Sequence, residues 1–489
     1  MSDSFRDLSG RKAPLNLSGD EFRRLGHQVV DEVADLLDAL PQRPVTRVKT
    51  PSEIRQQLPD AFPEEGMDPQ QLLSETSEML FRDSLYNGHP KFFGYITAPA
   101  APIGLLGEML AGAVNPNLGG WQLSPVASEI EGQTVRWLGE LIGYQAGGGL
   151  LVSGGNAANI TAFIAARRDR LGDGLRAGGV GSLPKAPRIY ASKETHTWLQ
   201  KAADVSGLGT DALRWIDVDA TGCIDTAALR RAIEADRDAG DQPFLLVGTG
   251  GSVSTGAVDD LATLADIAEE FGLWFHIDGA YGAFAAAVPE CAERFRGIER
   301  ADSIAVDPHK WLYAPLEAGC TLVRDAATLP AAFSYTPDYY HFEEEIDPRI
   351  NYYELGMQNS RGFRALKVWL ALRQVGRDGY VQMLRDDIRL TRAMWEAVDR
   401  HPDLEAVHCE LSIATFRYAP KSMPEDQYDR FNEQLLEELK ASGELFVSNA
   451  LTDGRFLLRA CIVNFRTTLE DVEAVPEIVV RHAERMRNL

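Results

Sequence analysis

Between about Pro102 and Arg324 the sequence alternates helical and strand-like patterns, and one stretch shows the alternation in full. Phe244-Leu245-Leu246-Val247 is an apolar β-like run, Asp259 to Phe271 carries helical periodicity, and Leu273 to Ile277 is apolar again. Two short apolar runs joined through a helix form a β–α–β unit, because parallel strands need a crossover connection. Repeated along the chain, this alternation implies a parallel-rich sheet covered by helices. Such sheets collect ligands at the carboxyl ends of their strands. Residues that directly follow an apolar run are therefore the ones to search for chemistry.

Lys310 is such a residue. It lies in Asp307-Pro308-His309-Lys310-Trp311, directly after the run Ser303-Ile304-Ala305-Val306. A lysine at the end of a buried strand loses hydration, and desolvation disfavours the ammonium form. An amine that sheds its proton near neutral pH can condense with an aldehyde to a Schiff base. The natural aldehyde is pyridoxal 5'-phosphate. Standing alone, the pentapeptide reads better as a lysine snorkelling from a strand end, so the reading depends on what else the chain supplies.

That cofactor requires a carboxylate at its pyridine nitrogen, an anion cradle for its phosphate and a group against its ring face. The run Leu273 to Ile277 ends in Asp278, with the small residues Gly279 and Ala280 after it. A carboxylate there keeps the ring nitrogen protonated and able to accept electrons. An Asp-Gly pair also serves ordinary strand-end turns, but this one lies one strand–loop unit before Lys310. Gly149 to Val152 is strand-like and runs into Ser153-Gly154-Gly155-Asn156-Ala157-Ala158-Asn159, after which helical periodicity continues through Ile160, Phe163, Ile164 and Ala166. Glycines let backbone amides approach an anion, and a helix N-terminus supplies unpaired N–H groups and positive potential. No Gly-x-Gly-x-x-Gly or Gly-Lys-Ser/Thr pattern accompanies them, so dinucleotide and nucleoside triphosphate readings lose support. His196 is the candidate for the ring face, since an imidazole can stack on the pyridine and reach a substrate carboxylate. Its position alone would not single it out.

In chain order, the segments His89 to Tyr95, Trp121 to Pro125, Ser153 to Gly155, His196, Asp278, His309 to Trp311, Ser360 to Lys367 and Leu458 to Cys461 resemble the group II pyridoxal-phosphate decarboxylases. That family includes the aromatic-L-amino-acid, histidine and glutamate decarboxylases, and the aromatic enzymes are its nearest members here. The resemblance runs along nearly the whole chain. The combination is specific, whereas no single motif is, except Asp307 to Trp311. It implies an α/β protein of fold type I. Residues 1–100 would form an N-terminal helical dimerisation segment, 101–365 a large cofactor-binding α/β domain with a mainly parallel sheet, and 366–489 a small α+β C-terminal domain. The N-terminal helices would wrap around a second subunit of a homodimer.

The resemblance also implies roles. Lys310 would hold the cofactor and Asp278 sustain its charged ring nitrogen. Asn156 and Ala157 would meet the phosphate with neighbouring amides, His196 stack on the ring, Ala280 pack on its other side, and His309 add a polar contact. Tyr339, in an irregular aromatic stretch between Ala331 and Glu354, stands where family decarboxylases carry a mobile-loop tyrosine, and is the choice for the donor that protonates Cα. Adjacent Tyr340 leaves that assignment open by one residue. Phenylalanine there marks relatives that make aldehydes by oxidative decarboxylation–deamination. Tyr95 matches the aromatic decarboxylases in the substrate pocket, but Gly88, Ile96 and Gly119 stand where those enzymes place aromatic side chains. Gly251-Ser252-Val253 replaces a common Gly-Thr-Thr, so a hydroxyl near the cofactor is missing or moved. No arginine is evidently aimed at an acidic side chain, which disfavours glutamate as substrate. The implied reaction is decarboxylation of an L-amino acid, aromatic by resemblance, to its amine and carbon dioxide. The alternatives are an aldehyde synthase, a decarboxylase of a non-aromatic amino acid, and a catalytically silent scaffold.

Bulk properties narrow the partners. A chain of 489 residues can hold two or three domains. Lys plus Arg number 49 against 72 Asp plus Glu, a net charge of −23. That balance argues against nucleic acid or an anionic membrane as a main partner, since both need a basic surface. Cys223, Cys291, Cys320, Cys409 and Cys461 have no Cys-x-x-Cys spacing, so neither a disulfide framework nor a metal site is expected. Met1 to Lys12 is polar without a signal-peptide core, and no apolar stretch reaches about 18 residues, which makes the cytoplasm the default location.

Outside the alternating region, Ser18-Gly19-Asp20-Glu21 has capping-box spacing and precedes a helical stripe from Phe22 to Leu37, with a second helix near Met67 to Leu85. Arg170 to Pro187 is Gly-rich and reads as a loop. After Gly362 helical periodicity resumes. The tail mixes strand-like pieces (Ser412 to Arg417, Phe456 to Val463) with amphipathic helices (Gln427 to Ala441, Leu469 to Arg487).

Overall fold

The computed structural model describes residues 10–11, 13–335 and 349–488. Tyr339 and Tyr340 lie outside the described residues. The first helix, α1 (Gly19–Ala39), starts with the capping box that its spacing predicts. Ser18 Oγ accepts the Glu21 N–H at 3.2 Å, and Glu21 Oε2 accepts the Ser18 N–H at 3.0 Å. A short helix, α2 (Pro51–Arg55), was not anticipated, although Pro51 at its first position and Thr50 as its cap are ordinary helix-start chemistry. α3 (Pro69–Asp83) packs on α1 through Arg24 to Gln70 and Gln28 to Ser74. Phe22, Val30, Leu72 and Leu80 on these helices stay exposed.

The helices α4 (Pro102–Val114) and α5 (Pro125–Leu141) lead into the alternating region. There β1 (Gly148–Val152), α6 (Gly155–Leu171), α7 (Gly174–Gly178), β2 (Pro187–Ser192), α8 (Trp198–Val205), β3 (Leu213–Ile216), α9 (Thr226–Asp238), β4 (Gln242–Thr249), α10 (Leu261–Phe271), β5 (Trp274–Asp278), β6 (Ser303–Val306) and β7 (Gly319–Val323) succeed one another. They build a seven-stranded sheet in the order β1-β7-β6-β5-β4-β2-β3. β7 runs antiparallel to both of its neighbours, and the other pairs are parallel. The β–α–β unit read from sequence is β4–α10–β5, with Leu245 to Thr249 in register with Trp274 to Asp278. The central strands read as unbroken apolar runs because helices bury both faces. Within Arg170 to Pro187, expected to be loop, α7 forms a short helix and Val180–Ser182 a 3₁₀ turn. Gly172 (φ 87°) and Gly179 (φ 66°) bound α7, so the glycines delimit a helix here instead of preventing one.

α11 (Thr328–Phe333) precedes the long α12 (Arg364–Asp399), which breaks at Gly376 (φ 70°). Before the break, Trp369 bonds Gln133 of α5 and Lys367 pairs with Glu108 of α4. After it, Met394 and Val398 enter a second core with Leu404, Phe416 and Leu458. That core is covered by β8 (Leu404–Glu410), β9 (Ile413–Tyr418), α13 (Tyr428–Ser442), β10 (Ser448–Thr452), β11 (Arg455–Cys461), α14 (Leu469–Glu473) and α15 (Val475–Arg487). Its strands form an antiparallel sheet in the order β10-β11-β9-β8. β8 and β10 were missed in sequence because both are edge strands, only partly buried, and mix polar with apolar residues. Among the described residues no helix is long and apolar enough to cross a membrane. Cys291, Cys320 and Cys461 are buried free thiols.

Candidate active site

Sheet register brings the chemistry together. Asp278, the last residue of β5, pairs with Thr249 on one side and Ala305 on the other, and Asp307 comes directly after β6. A cavity of about 190 Å³ opens at this edge. Asn156, His196, Asp278, Ala280 and Lys310, all nominated from sequence, line it. Ala157 and His309 do not line it, although each is the chain neighbour of a residue that does.

Lys310 follows a fully buried strand, as its place in the sequence implies, and it also has a counter-ion. Lys310 Nζ lies 3.0 Å from Oδ2 of the buried Asp307, so the first residue of the pentapeptide supplies a counter-ion to the fourth. Asp278 is fixed by two donors. Its Oδ2 accepts the Trp198 indole N–H at 2.7 Å and its Oδ1 accepts the Ala280 N–H at 3.2 Å. His196 remains open to solvent at the mouth while its Nδ1 accepts the Trp198 N–H at 3.3 Å. Desolvation by the surrounding protein depresses its pKa, with Asp278 opposing that shift. His309 Nδ1 accepts the Ala318 N–H at 3.0 Å, and burial lowers its pKa as well.

The glycine pair makes a cradle of the start of α6. Gly154 has φ 141°, which disfavours any side chain. A Cβ on Gly155 would come within 2.7 Å of Asp307 Oδ2. Bare backbone at the N-terminus of this 17-residue helix therefore faces the cavity, as an anion requires. Cradle, carboxylate, imidazole and lysine together fit pyridoxal phosphate.

Gly251, Ser252 and Val253 all line the cavity, so Ser252 brings a hydroxyl to it and Val253 does not. Ser252 lines the cavity, with its Oγ 3.0 Å from Thr255 Oγ1, and Thr249 lines it too. Tyr95, Ile96 and Gly119 do not line this cavity within one chain. Tyr95 is exposed with its ring 6.0 Å from that of Phe446, Ile96 packs against the main core, and Gly119 abuts the Asn359 carbonyl. Sequence reasoning nominated neither Trp198, which holds Asp278, nor Asn159, which lines the cavity. Asn159 stood in the cradle motif, and its spacing of three from Asn156 puts both on one helix face.

The turn that carries Lys310 is braced from behind. Trp311 stacks on Tyr281 with centroids 5.2 Å apart. Asp387 of α12 accepts the Trp311 indole N–H at 2.9 Å and the Tyr313 hydroxyl at 2.7 Å. Asp387 is fully buried, and desolvation pushes its carboxyl up to about 7.

Comparison with known proteins agrees with this geometry. The pyridoxal-dependent decarboxylase conserved domain matches residues 51–419. An aromatic-L-amino-acid decarboxylase of Bacillus atrophaeus is 33% identical over 462 residues, covering 94% of each chain. A phenylacetaldehyde synthase of Petunia hybrida is 30% identical over 490 residues, covering 96% of each. The crystal structure of Oryza sativa TDC with PLP and tryptamine superposes with a TM-score of 0.89 at 26% identity, covering 97% of this chain and 100% of that one. The convergence of Lys310, Asp278 and the α6 cradle thus has its explanation in descent: the chain belongs to the pyridoxal-dependent decarboxylases.

Proposed function

We propose that this decarboxylase acts as a homodimer on L-amino acids with aromatic side chains, releasing the amine and carbon dioxide. The observation that carries the reading is the meeting of Lys310, Asp278, His196 and the α6 N-terminus at one cavity. Bound pyridoxal phosphate supplies an electron sink for the bond to the departing carboxylate. The protein's own groups do the rest. Lys310 carries the cofactor through its amine. Asp278, held by Trp198 and the Ala280 amide, keeps a proton on the ring nitrogen. With the cofactor bound, His196 and Ala280 would flank its ring, His309 would add a polar contact, and the amides around Asn156 and Ala157 would hold the phosphate. Tyr339 delivers the proton to Cα.

Tyr95, Ile96 and Gly119 are carried forward as substrate-facing positions in a pocket that a second copy of the chain completes. Dimerisation is supported by the apolar surface on α1, α3 and α4, where Phe22, Leu72, Leu80, Leu106, Leu110 and Val114 are exposed. The divisions 1–100, 101–365 and 366–489 accompany this reading, with the break in α12 at Gly376 near the second boundary. Five free cysteines suit the reducing cytoplasm.

Incubating the protein with pyridoxal phosphate and a mixture of L-amino acids, with products identified by mass spectrometry, tests the reading. Aromatic amines and carbon dioxide are expected, and Lys310→Ala should abolish turnover. Amines from non-aromatic substrates alone would overturn the substrate class. Retained turnover in Lys310→Ala would overturn the mechanism.

A further inference from the structure

His276 and Asp278 lie two apart on β5 and so share a face of the strand. Asp278 serves the ring nitrogen, whereas His276, only 1% exposed, is a buried polar group outside that chemistry. Its Nε2 lies 2.7 Å from Asn159 Oδ1 and its Nδ1 2.8 Å from Ser303 Oγ. These partners decide the tautomer. Asn159 Oδ1 can only accept, so Nε2 carries the proton. Desolvation lowers the imidazole pKa to about 4, which leaves the ring neutral and Nδ1 an acceptor. Ser303 then donates its hydroxyl to Nδ1, and its oxygen accepts the Trp274 indole N–H at 2.8 Å. Trp274, Ser303 and His276 each thus donate one proton to the next acceptor in the chain that ends at Asn159 Oδ1.

The end of this chain faces the cavity. Asn159 sits one helical turn beyond Asn156 and lines the active site with it. With Oδ1 committed to His276, the Nδ2 amide is what Asn159 offers to a ligand. Turning the amide over would force the other tautomer on His276, and the buried Ser303 hydroxyl would then accept from both Nδ1–H and Trp274 with no acceptor for its own proton among the described residues, an unmade buried bond that is costly. The Trp198 ring packs edge-on against His276 at 5.6 Å while its N–H holds Asp278, so one indole braces both polar groups of β5.

We propose that Asn159 is a cofactor-contacting residue, donating its side-chain amide to pyridoxal phosphate in this cavity, and that His276 is the positioning residue that fixes the amide as a donor. The inference rests on the cofactor reading and goes beyond it, because it assigns work to two residues behind the lysine and aspartate.

The test titrates pyridoxal phosphate into the full-length protein stripped of cofactor, using tryptophan fluorescence for Kd, with the thermal midpoint of each apo variant measured alongside. Asn159→Ala should raise Kd on the order of tenfold. Asn159→Asp keeps an acceptor for His276 but turns the donor into an acceptor, and should raise Kd further still. Wild-type affinity in Asn159→Asp would overturn the proposal, because a merely structural partner of His276 would tolerate that change. His276→Leu should weaken binding as Asn159→Ala does, and His276→Gln, which retains an N–H for Oδ1, should restore most of the affinity. In the His276→Leu, Asn159→Ala double variant the two effects should not multiply. Independent, multiplying effects would remove His276 from the role. A wild-type protein that bound no pyridoxal phosphate would overturn the cofactor reading itself, an outcome distinct from equal Kd values across the variants.

Discussion

Asp387→Asn should remove a pH dependence of stability that the burial of this carboxyl creates. The carboxyl is fully buried on α12, and its burial outweighs the hydrogen bonds from Tyr313 and Trp311, so its pKa rises from 3.8 to about 7. Between those two values the folded protein holds a proton that the unfolded chain has released. Stability therefore falls as pH rises through that window, by about 1.4 kcal/mol per pH unit for one group. By about pH 8 the loss is complete. Asparagine has no proton to lose, and its Oδ1 can still accept from Trp311 and Tyr313. Its amide would, however, face the Asn464 N–H that now helps the carboxylate. That lost bond costs about 1–3 kcal/mol but does not depend on pH. The variant's stability relative to wild type should consequently improve by about 3 kcal/mol between pH 5 and pH 8, whatever its absolute value at either end. Urea unfolding of both apo proteins at pH 5, 6, 7 and 8, at one protein concentration, gives the gap as the difference in midpoint multiplied by m. A gap that stays constant from pH 5 to pH 8 would refute the account of Asp387 as a buried acid with a raised pKa.

Two further substitutions probe the site itself. Trp198→Phe keeps the ring against His276 but removes the N–H from Asp278 Oδ2; a bond to a charged group of that kind should cost about tenfold to a hundredfold in kcat/KM, and an unchanged value would show that Asp278 needs no indole. Tyr339→Phe should move product from amine toward aldehyde and hydrogen peroxide, read by mass spectrometry and a peroxide assay; a product ratio equal to wild type would take Tyr339 out of proton delivery.

The parts of this molecule that were legible in sequence are those where local pattern and chemistry coincide. Strands buried on both faces leave unbroken apolar runs, so the positions of Asp278 and Lys310 after such runs could be read directly, as could the glycines before α6. The missed partners are long-range. Trp198 meets Asp278 across 80 residues and Asn159 meets His276 across 117, and no periodicity within a helix announces either contact. Asp387 is invisible for a related reason. In Arg385-Asp386-Asp387 it reads as a charged helix surface, and only the packing of Trp311 and Tyr313 against α12 makes it a core residue. The partly buried edge strands β8 and β10 carried too weak an alternation to be found.

Asp278 and Lys310 are kept in register by an aromatic residue that comes shortly after each of them. Tyr281 stands three positions beyond Asp278 and Trp311 one beyond Lys310, and the two rings are stacked with an interplanar angle of 13°. Each ring is also tied away from the large sheet. Tyr281 Oη lies 2.6 Å from the hydroxyl of Ser412, just before β9, and accepts the Ser412 N–H at 3.0 Å, while Trp311 donates to Asp387 of α12. The strands β5 and β6 set where the two loops begin, and the stack sets how far apart they travel. The lysine side of the cavity is thereby packed against the C-terminal elements, whereas the opposite wall ends in exposed side chains, His196 and Val253.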